Sequence, residues 1–392
     1  MRAGLGATDL ETPIMRYAYV LTLLAAGIVA ACAPTMAAPS VRAPEVWLCH
    51  NHPEPLGREP DQWYTVQRRL DVMQLAINAV AYLIPQDDLG RLASLLRRNG
   101  IGVSIECGYF DWDPHATDFA APNPKPITDR PRAEIRHGIG KATARLEMAK
   151  IAPMLRAGMR PDYVVMDGPI RRLMNPGADT GRTTAKGEQQ GVATLEEAVA
   201  EVIAYMREWR RRFPGVRFLA LTNFPNWGWK GQPAYWASGP DSMFWGDYYP
   251  VITALIERTR AARMPLAGLV IDNPYEYTTA TIPVESPWPP PSKSPREIDW
   301  MARVIELERY AESKGLDVSL IVNSQRGGYE SDEAFARYTR EYLNAYRAAG
   351  GSPRRYVFQT WYRYPRKLVP ETDPFSMTGM LREAIGIIKG AH

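Results

Sequence analysis

Net charge, histidine and cysteine are all scarce in this sequence. Its 47 lysines and arginines are almost balanced by 43 aspartates and glutamates, which leaves a formal net charge of +4 over 392 residues. A charge this small, without a concentrated basic arm, argues against nucleic acid as a partner. No Gly-rich phosphate-binding motif follows the first strand-like segment, which weighs against a dinucleotide-binding fold.

Long apolar runs are also missing, apart from one near the N-terminus. The apolar residues 20–31 follow Met15-Arg16 and are too few to span a bilayer as a stable helix. We therefore interpret residues 1–31 as a signal peptide, whose translation start is either Met1 or Met15. The protein is expected to be exported.

This segment ends in Val29-Ala30-Ala31-Cys32, which resembles the lipobox of bacterial lipoproteins. The resemblance implies a lipid anchor at Cys32, and ordinary cleavage near Ala37-Ala38 is the alternative. Residues 32–44 are predicted to form a flexible tether.

Only two of the three cysteines lie beyond the predicted tether. Export places Cys49 and Cys107 in an oxidising compartment. They are expected either to form a disulfide or to remain as two inert, buried thiols.

Short apolar runs, bounded by Gly, Pro or polar residues, recur eight times and are predicted strands. They cover residues 46–49, 79–84, 102–106, 163–167, 217–223, 267–272, 317–323 and 356–359. Helix-like segments separate them. The alternation predicts a parallel sheet, and eight units over about 350 residues predict a single (β/α)8 barrel covering residues 45–392.

Several helix boundaries can be predicted from local signals. A helix is expected over residues 60–74, and the capping box Thr194–Glu197 starts another that ends at Arg212. A second capping box, Ser294–Glu297, and the pair Asp373-Pro374 predict two further helix starts. Connections from helix to strand are short, whereas long loops follow predicted strands three to six. Active sites of such barrels lie on the face that carries the strand-to-helix loops.

Carboxylates end three of the predicted strands. Glu106, Asp167 and Asp272 end strands three, four and six, and we expect all three to project into one mouth. Hydrolysis of a glycosidic bond needs two carboxyl groups, one as acid and one as base or nucleophile. The alternative is that some of them only hold loops through salt bridges.

Aromatic residues are concentrated in the same loops. Trp227 and Trp229 follow strand five, and Trp361 follows strand eight. Flat rings suit the apolar faces of sugars, so these residues are predicted to bind substrate. The alternative is that a large loop uses such rings as its own small core.

Histidine and amide side chains complete the candidate site. His50 and His52 end strand one, as the His-x-His metal pair does in amidohydrolase-type barrels. The likeness stops there, since strands five and eight end in Asn223 and Gln359. We predict that both histidines hydrogen-bond substrate hydroxyls, and that Asn223, Asn323 and Gln359 do the same. No metal and no cofactor is predicted, although a metal-dependent hydrolase that uses His50 and His52 is the alternative enzyme.

The strand ends Val164-Val165-Met166-Asp167 and Val270-Ile271-Asp272 resemble those of melibiase-like barrel glycoside hydrolases. That resemblance implies Asp167 as nucleophile and Asp272 as acid/base. Chitinase-like and cellulase-type barrels place other motifs after strands four and seven.

These patterns together predict an exported glycoside hydrolase that acts on a polysaccharide or oligosaccharide. Glu106 is expected to tune or replace one of the two aspartates. No protein partner is predicted. A glycan-binding lipoprotein without activity is the alternative outside enzymes.

Overall fold

Eight parallel strands pair in chain order and close into a barrel, which confirms the predicted (β/α)8 architecture. The computed structural model describes residues 43–108, 110, 138–174, 194–235, 245–281 and 297–390. The strands are β1 (Glu45–His50), β2 (Val72–Ala76), β3 (Gly102–Cys107), β4 (Tyr163–Asp167), β5 (Arg217–Asn223), β6 (Gly268–Asp272), β7 (Asp317–Val322) and β8 (Arg355–Thr360). Strand β1 pairs with β8 along its whole length and so closes the ring.

Helices surround the barrel. Those in the described residues are α1 (Glu54–Arg58), α2 (Tyr64–Gln67), α3 (Gln86–Asn99), α4 (Ile139–Lys150), α5 (Ala152–Arg156), α6 (Pro169–Met174), α7 (Leu195–Arg212), α8 (Tyr248–Ala261), α9 (Tyr275–Thr278), α10 (Trp300–Ser313), α11 (Gln325–Glu330), α12 (Asp332–Ala348) and α13 (Met377–Lys389). Their apolar faces and the outward faces of the strands form the main core.

Alternate residues of each strand point into the barrel and fill it. They form a second apolar cluster, to which seven strands contribute Trp47, Val72, Tyr163, Val165, Leu219, Leu221, Val270, Ile321 and Val357. Because side chains along a strand alternate between its faces, residues two positions further along each strand also point inward. This rule places polar side chains directly above the apolar filling.

The N-terminal end of the barrel is closed by charge pairing. Arg355 donates to Glu45 at 3.2 Å and to Asp317 at 2.6 Å, and its side chain is buried. These three residues start β8, β1 and β7. Because this end is filled, the polar groups at the opposite end are the ones that a ligand can reach.

Strand two was predicted in the wrong place. It is Val72–Ala76, and the segment predicted as strand two instead contains a π-helix at Ala79–Leu83. The helix predicted over residues 60–74 is also wrong, because a 3₁₀ turn (Pro60–Trp63) and the short helix α2 occupy its first part. Gln74 interrupts the apolar run Val72–Ala76, and its Nε2 donates to Glu106 and Gln359 inside the barrel.

Helix starts follow the capping signals in some places and not in others. The capping box of Thr194 and Glu197 starts α7 as predicted. Helix α10 begins at Trp300, where the Asp299 carboxylate accepts from the Ala302 amide, whereas Ser294, which opens the predicted capping box, lies outside the described residues. Helix α13 likewise begins after Ser376 rather than at the predicted Asp373-Pro374. In both cases a later side chain satisfies the first free amides.

Both cysteines of the barrel are buried and free, so the disulfide alternative is wrong. In the part of the chain that the structure describes, no helix is long and apolar enough to cross a membrane. The predicted signal peptide, Cys32 and almost all of the tether lie outside the described residues.

Candidate active site

The structure brings Glu106, Asp167 and Asp272 together at the C-terminal mouth of the barrel. Asp167 and Asp272 are the last residues of β4 and β6, and Glu106 is the penultimate residue of β3. Each aspartate lies two residues after an inward-facing valine, Val165 or Val270, so its side chain also points inward. The negative charges of the aspartates act on Glu106, whose pKa they raise, so the three groups form one electrostatic cluster.

Glu106 forms the floor of this cluster. Its side chain is only 3% exposed, and its Oε2 accepts from Gln74 Nε2 at 2.6 Å and from Gln359 Nε2 at 3.0 Å. Burial raises the pKa of Glu106 well above its usual value, the two aspartate charges raise it further, and the two amide hydrogen bonds offset only part of this. The environment therefore favours the protonated form of Glu106.

Asp272 has the properties of an acid that works near neutrality. Burial, opposed by a hydrogen bond from Asn223 and supported by the charge of Asp167, raises the pKa of Asp272 to about 7. Asn223 Nδ2 donates to Asp272 Oδ2 at 2.9 Å. Residues Asn223 and Asp272 are register partners on β5 and β6, so the sheet itself places the amide beside the carboxyl.

Buried oxygens near the mouth lack a hydrogen-bond partner among the described residues, and Gln74 Oε1 on the floor is one of them. Two others are Oδ1 of Asp272, at the end of β6, and Oδ1 of Asn323, directly after the neighbouring strand β7. Asn323 is buried, and its backbone oxygen is bonded to the Tyr275 amide at 3.1 Å. Buried acceptors are normally satisfied, so these two atoms are suited to receive the hydroxyl groups of a ligand.

Asp167 is buried at a sharp turn. Gly168 follows it with φ +55°, a conformation that favours glycine, and donates its amide to Leu221 at 3.1 Å. The Arg171 guanidinium packs beside this turn, because a Cβ on Gly168 would lie 3.3 Å from Arg171 Nε. Arg171 is itself buried and stacks on Trp245 at 4.2 Å. A fixed cation therefore lies one helical turn after the strand-four carboxylate.

His50 does not face a ligand as predicted. Its Nδ1 accepts from the His52 amide at 3.0 Å, and its Nε2 lies 3.3 Å from the Pro365 oxygen, to which it donates in the matching tautomer. Burial lowers the pKa of His50, which favours the neutral ring, and both ring nitrogens are engaged within the protein. His50 thus ties β1 to the loop after β8, whereas the His52 side chain is exposed near Glu54. Within the described ranges, no three His, Cys, Asp or Glu side chains cluster as metal ligands would.

The tryptophans after β5 form the core of their own loop. Trp227 and Trp229 are buried, the latter only 1% exposed. Trp227 packs on Trp245 and Tyr248, and Trp229 packs edge-on against Phe224. Their faces contact protein, so they do not form the predicted wall of the cleft. The alternative interpretation of this loop is the correct one.

A buried arginine fastens the same loop. Arg303 of α10 donates to the Pro233 oxygen at 2.7 Å and to the Trp227 oxygen at 2.5 Å. Burial lowers the pKa of Arg303 to about 10, a value at which it stays charged at neutral pH. Charged donors to backbone oxygens are strong hydrogen bonds. They fasten the Trp227 and Pro233 backbone of this loop to α10.

Replacing Trp229 by Ala is therefore expected to act on stability. Loss of a fully buried indole should reduce the free energy of unfolding by about 3–5 kcal/mol. Urea denaturation of Trp229→Ala measures this loss, and Trp361→Ala, which removes a 37% exposed ring, is the matched control with little effect. Unchanged stability of Trp229→Ala together with weakened glycan binding would contradict this reading.

Two residues of the site escaped sequence reasoning. Gln74 lies in the strand that was misplaced, and its only signal is one amide within the apolar run Val72–Ala76. Arg171 follows the strand-four carboxylate by four residues, a signal too common to be specific. Of the predicted amides, Gln359 contacts Glu106, Asn223 contacts Asp272, and Asn323 presents a buried oxygen.

No protein-family model and no curated protein matches the chain. Among solved structures, it is similar to a GH10 endoxylanase from a sugarcane soil metagenome, at 7% identity over 88% of this chain and 97% of that one, with a TM-score of 0.48. It is similar to the catalytic domain of the beta-amylase of Paenibacillus polymyxa at 11% identity, 88% and 98% coverage, and a TM-score of 0.46. The chain is also similar to xylanase B of Clostridium stercorarium F9, at 13% identity over 81% of this chain and 85% of that one, with a TM-score of 0.45.

Proposed function

We propose that this protein is a glycoside hydrolase whose acid is Asp272 and whose base or nucleophile is Asp167. The observation that supports this most is the cluster of carboxyl groups at one barrel mouth, in which one member has a pKa of about 7. Pairs of carboxyl groups whose environments favour different protonation states are typical of enzymes that combine acid with base or nucleophile. Hydrolysis of a glycosidic bond is a reaction for which such a pair suffices.

In this mechanism Asp272 gives its proton to the glycosidic oxygen as the bond to the anomeric carbon breaks. Asp167 either attacks the anomeric carbon or removes a proton from the attacking water. Asn223 holds the Asp272 carboxyl in place through Oδ2, and Oδ1 has no partner among the described residues. Burial and, to a smaller extent, the charge of Asp167 raise the pKa of Asp272, which favours its role as the acid.

Glu106 is proposed to assist rather than to react. Its protonated form adds no further negative charge beside Asp167 and Asp272, whose charges already disfavour its ionisation. Gln74 and Gln359 hold its Oε2 on the floor of the mouth. Glu106→Gln keeps the size and shape of the side chain, so its activity can be compared with that of the corresponding Asn variants of Asp167 and Asp272.

The substrate is proposed to be a carbohydrate. The oxygens of Asp272 and Asn323 that have no described partner suit sugar hydroxyls. Trp361 is 37% exposed directly after β8 and offers a ring to the apolar face of a sugar. The metal-dependent alternative has less support, because both ring nitrogens of His50 are hydrogen-bonded to backbone groups.

A turnover screen tests the proposal. The purified barrel would be incubated with aryl glycosides of common sugars and with xylan, barley β-glucan, soluble starch and polygalacturonate, and the reducing ends released would be measured. The proposal expects turnover that survives a metal chelator. Glycan binding without turnover would favour a binding protein, and activity abolished by the chelator would favour a metal-dependent hydrolase.

We also propose that the protein is a lipid-anchored, exported protein, on the basis of Val29-Ala30-Ala31-Cys32. Bacterial cells that express the full chain are expected to incorporate radioactive palmitate into it, and Cys32→Ser should abolish the label. A chain of the same size that is labelled equally with and without Cys32 would disprove the anchor.

A further inference from the structure

Three aromatic residues line the mouth beside β7 and β8. Tyr329 lies in α11, which follows β7, and Trp361 and Tyr362 follow β8 directly. Segments that follow parallel strands lie at the C-terminal face of the barrel, which is also the face of Asp272. Tyr329 is 63% exposed and Trp361 is 37% exposed. We call these three residues the aromatic rim.

The aromatic rim is built by close packing between two loops. The rings of Tyr329 and Tyr362 have centroids 5.3 Å apart, at an angle of 55°. A Cβ on Gly328 would lie 2.4 Å from the Cβ of Tyr362, so only glycine allows this approach. The Tyr364 amide donates to the Gly328 oxygen at 2.9 Å and joins the two loops.

Tyr362 connects the rim to the carboxyl cluster. The charge of Asp272 raises the pKa of the Tyr362 hydroxyl, second only to the effect of burial. The ring of Tyr362 is half-buried and packs against that of Tyr329. Tyr362 and Tyr329 therefore form one aromatic pair on the face of the barrel that carries Asp272.

We propose that the aromatic rim is a subsite for a glycan chain that extends beyond the sugar at the bond being cleaved. This inference rests on the proposed glycoside hydrolase function, of which it specifies the substrate class. A chain that runs outward from Asp272 meets Tyr362 and then Tyr329, and its apolar faces contact these rings. The enzyme accordingly acts on oligosaccharides and polysaccharides in preference to glycosides of a single sugar.

Charge near the rim is only partly paired. Arg326 lies 3.7 Å from Glu330, whereas Arg363 and Arg366 lie over the ring of Tyr364.

Affinity electrophoresis tests the rim without requiring turnover. The wild type, Tyr329→Ala and Trp361→Ala would be run in native gels that contain xylan, barley β-glucan, soluble starch or polygalacturonate. At least one polysaccharide is expected to retard the wild type, and each rim variant should bind that polysaccharide about fivefold more weakly. On aryl glycosides of a single sugar, kcat/KM of Tyr329→Ala should fall less than its affinity for that polysaccharide falls.

Tyr64→Ala is the matched control. Tyr64 is 54% exposed and lies in α2, on the connection between β1 and β2, outside the aromatic rim. Tyr64→Ala should migrate as the wild type does, and melting temperatures should show that all three variants are folded.

The rim inference is overturned if no polysaccharide retards the wild type, if both rim variants are retarded as strongly as the wild type, or if Tyr64→Ala loses as much binding. These outcomes can be separated from failure of the proposed function. Cleavage of aryl glycosides with unchanged rim variants would refute the rim alone. Reduced retardation of the rim variants, without turnover by the wild type, would support the glycan site and refute the hydrolase.

Discussion

Asp167→Asn is expected to lower kcat by about three orders of magnitude or more while the barrel remains folded. The substitution keeps the size and shape of the side chain, so the packing around β4 and the turn at Gly168 should survive. It removes the negative charge that must attack the anomeric carbon or deprotonate water. A group that acts in the transition state shows its loss in kcat more than in KM.

Initial rates on a substrate found in the turnover screen measure this effect, and circular dichroism and the melting temperature verify the fold. Asp317→Asn is the matched control, because Asp317 is a carboxylate that pairs with Arg355 at the opposite end of the barrel. It should lose some stability and keep its activity. Full activity of folded Asp167→Asn would remove Asp167 from the mechanism and leave Glu106 with Asp272 as the catalytic pair.

Asp272→Asn is expected to show an effect that depends on the leaving group. Without an acid, glycosides with poor leaving groups should be cleaved about 10²–10⁴-fold more slowly. Aryl glycosides with acidic phenols need little protonation, so they should retain most of their rate. A much larger loss of rate on poor leaving groups than on acidic phenols would identify Asp272 as the proton donor. An equal loss on both kinds of substrate would show that Asp272 is not the proton donor.

The pH dependence of the activity gives an independent test of Asp272 as the proton donor. Because Asp272 has a pKa of about 7 and must be protonated to act, activity on poor leaving groups should fall as the pH rises through about 7. This alkaline limb should be absent from the residual activity of Asp272→Asn. An unchanged limb in the variant would assign it to another group.

The same substitution should make the protein more stable at alkaline pH. The folded carboxyl holds its proton up to about pH 7, whereas the unfolded one loses it near 3.8, so the contribution of Asp272 to stability is lost between these values as the pH rises. At pH 8 the wild type must keep a buried carboxylate beside Asp167, and Asp272→Asn should be more stable by on the order of 1–3 kcal/mol. Urea denaturation at pH 4 and pH 8 compares the two proteins.

The barrel could be predicted because its signals are local. Tyr163–Asp167 is an apolar run bounded by Pro161 and Gly168, and such runs identify a buried strand without knowledge of any distant residue. Their regular alternation with helices then determines the architecture. The three strand-ending carboxylates could be found for the same reason, since their positions depend only on where each strand ends.

What could not be predicted depends on partners distant in sequence. Gln74 is stable inside the barrel because Glu106 and Gln359 bond to it from 32 and 285 residues away. His50 is held by the Pro365 oxygen, 315 residues away, and so cannot be distinguished from a ligand-binding histidine by its position. The sequence likewise places Trp227 and Trp229 in one loop, but it could not show whether their rings face the cleft or the interior of the loop.

The pairing of β1 with β8 also affects the order in which the protein can fold. Glu45 pairs with Arg355 across 310 residues, and all six residues of β1 find partners on β8. The ribosome must therefore complete β8 before the ring can close, and contacts of this length form slowly. Until then, β1 and the last completed strand have free edges that can pair with other chains. Aggregation during synthesis should consequently be more sensitive to substitutions in β8 than to equally destabilising ones in β4.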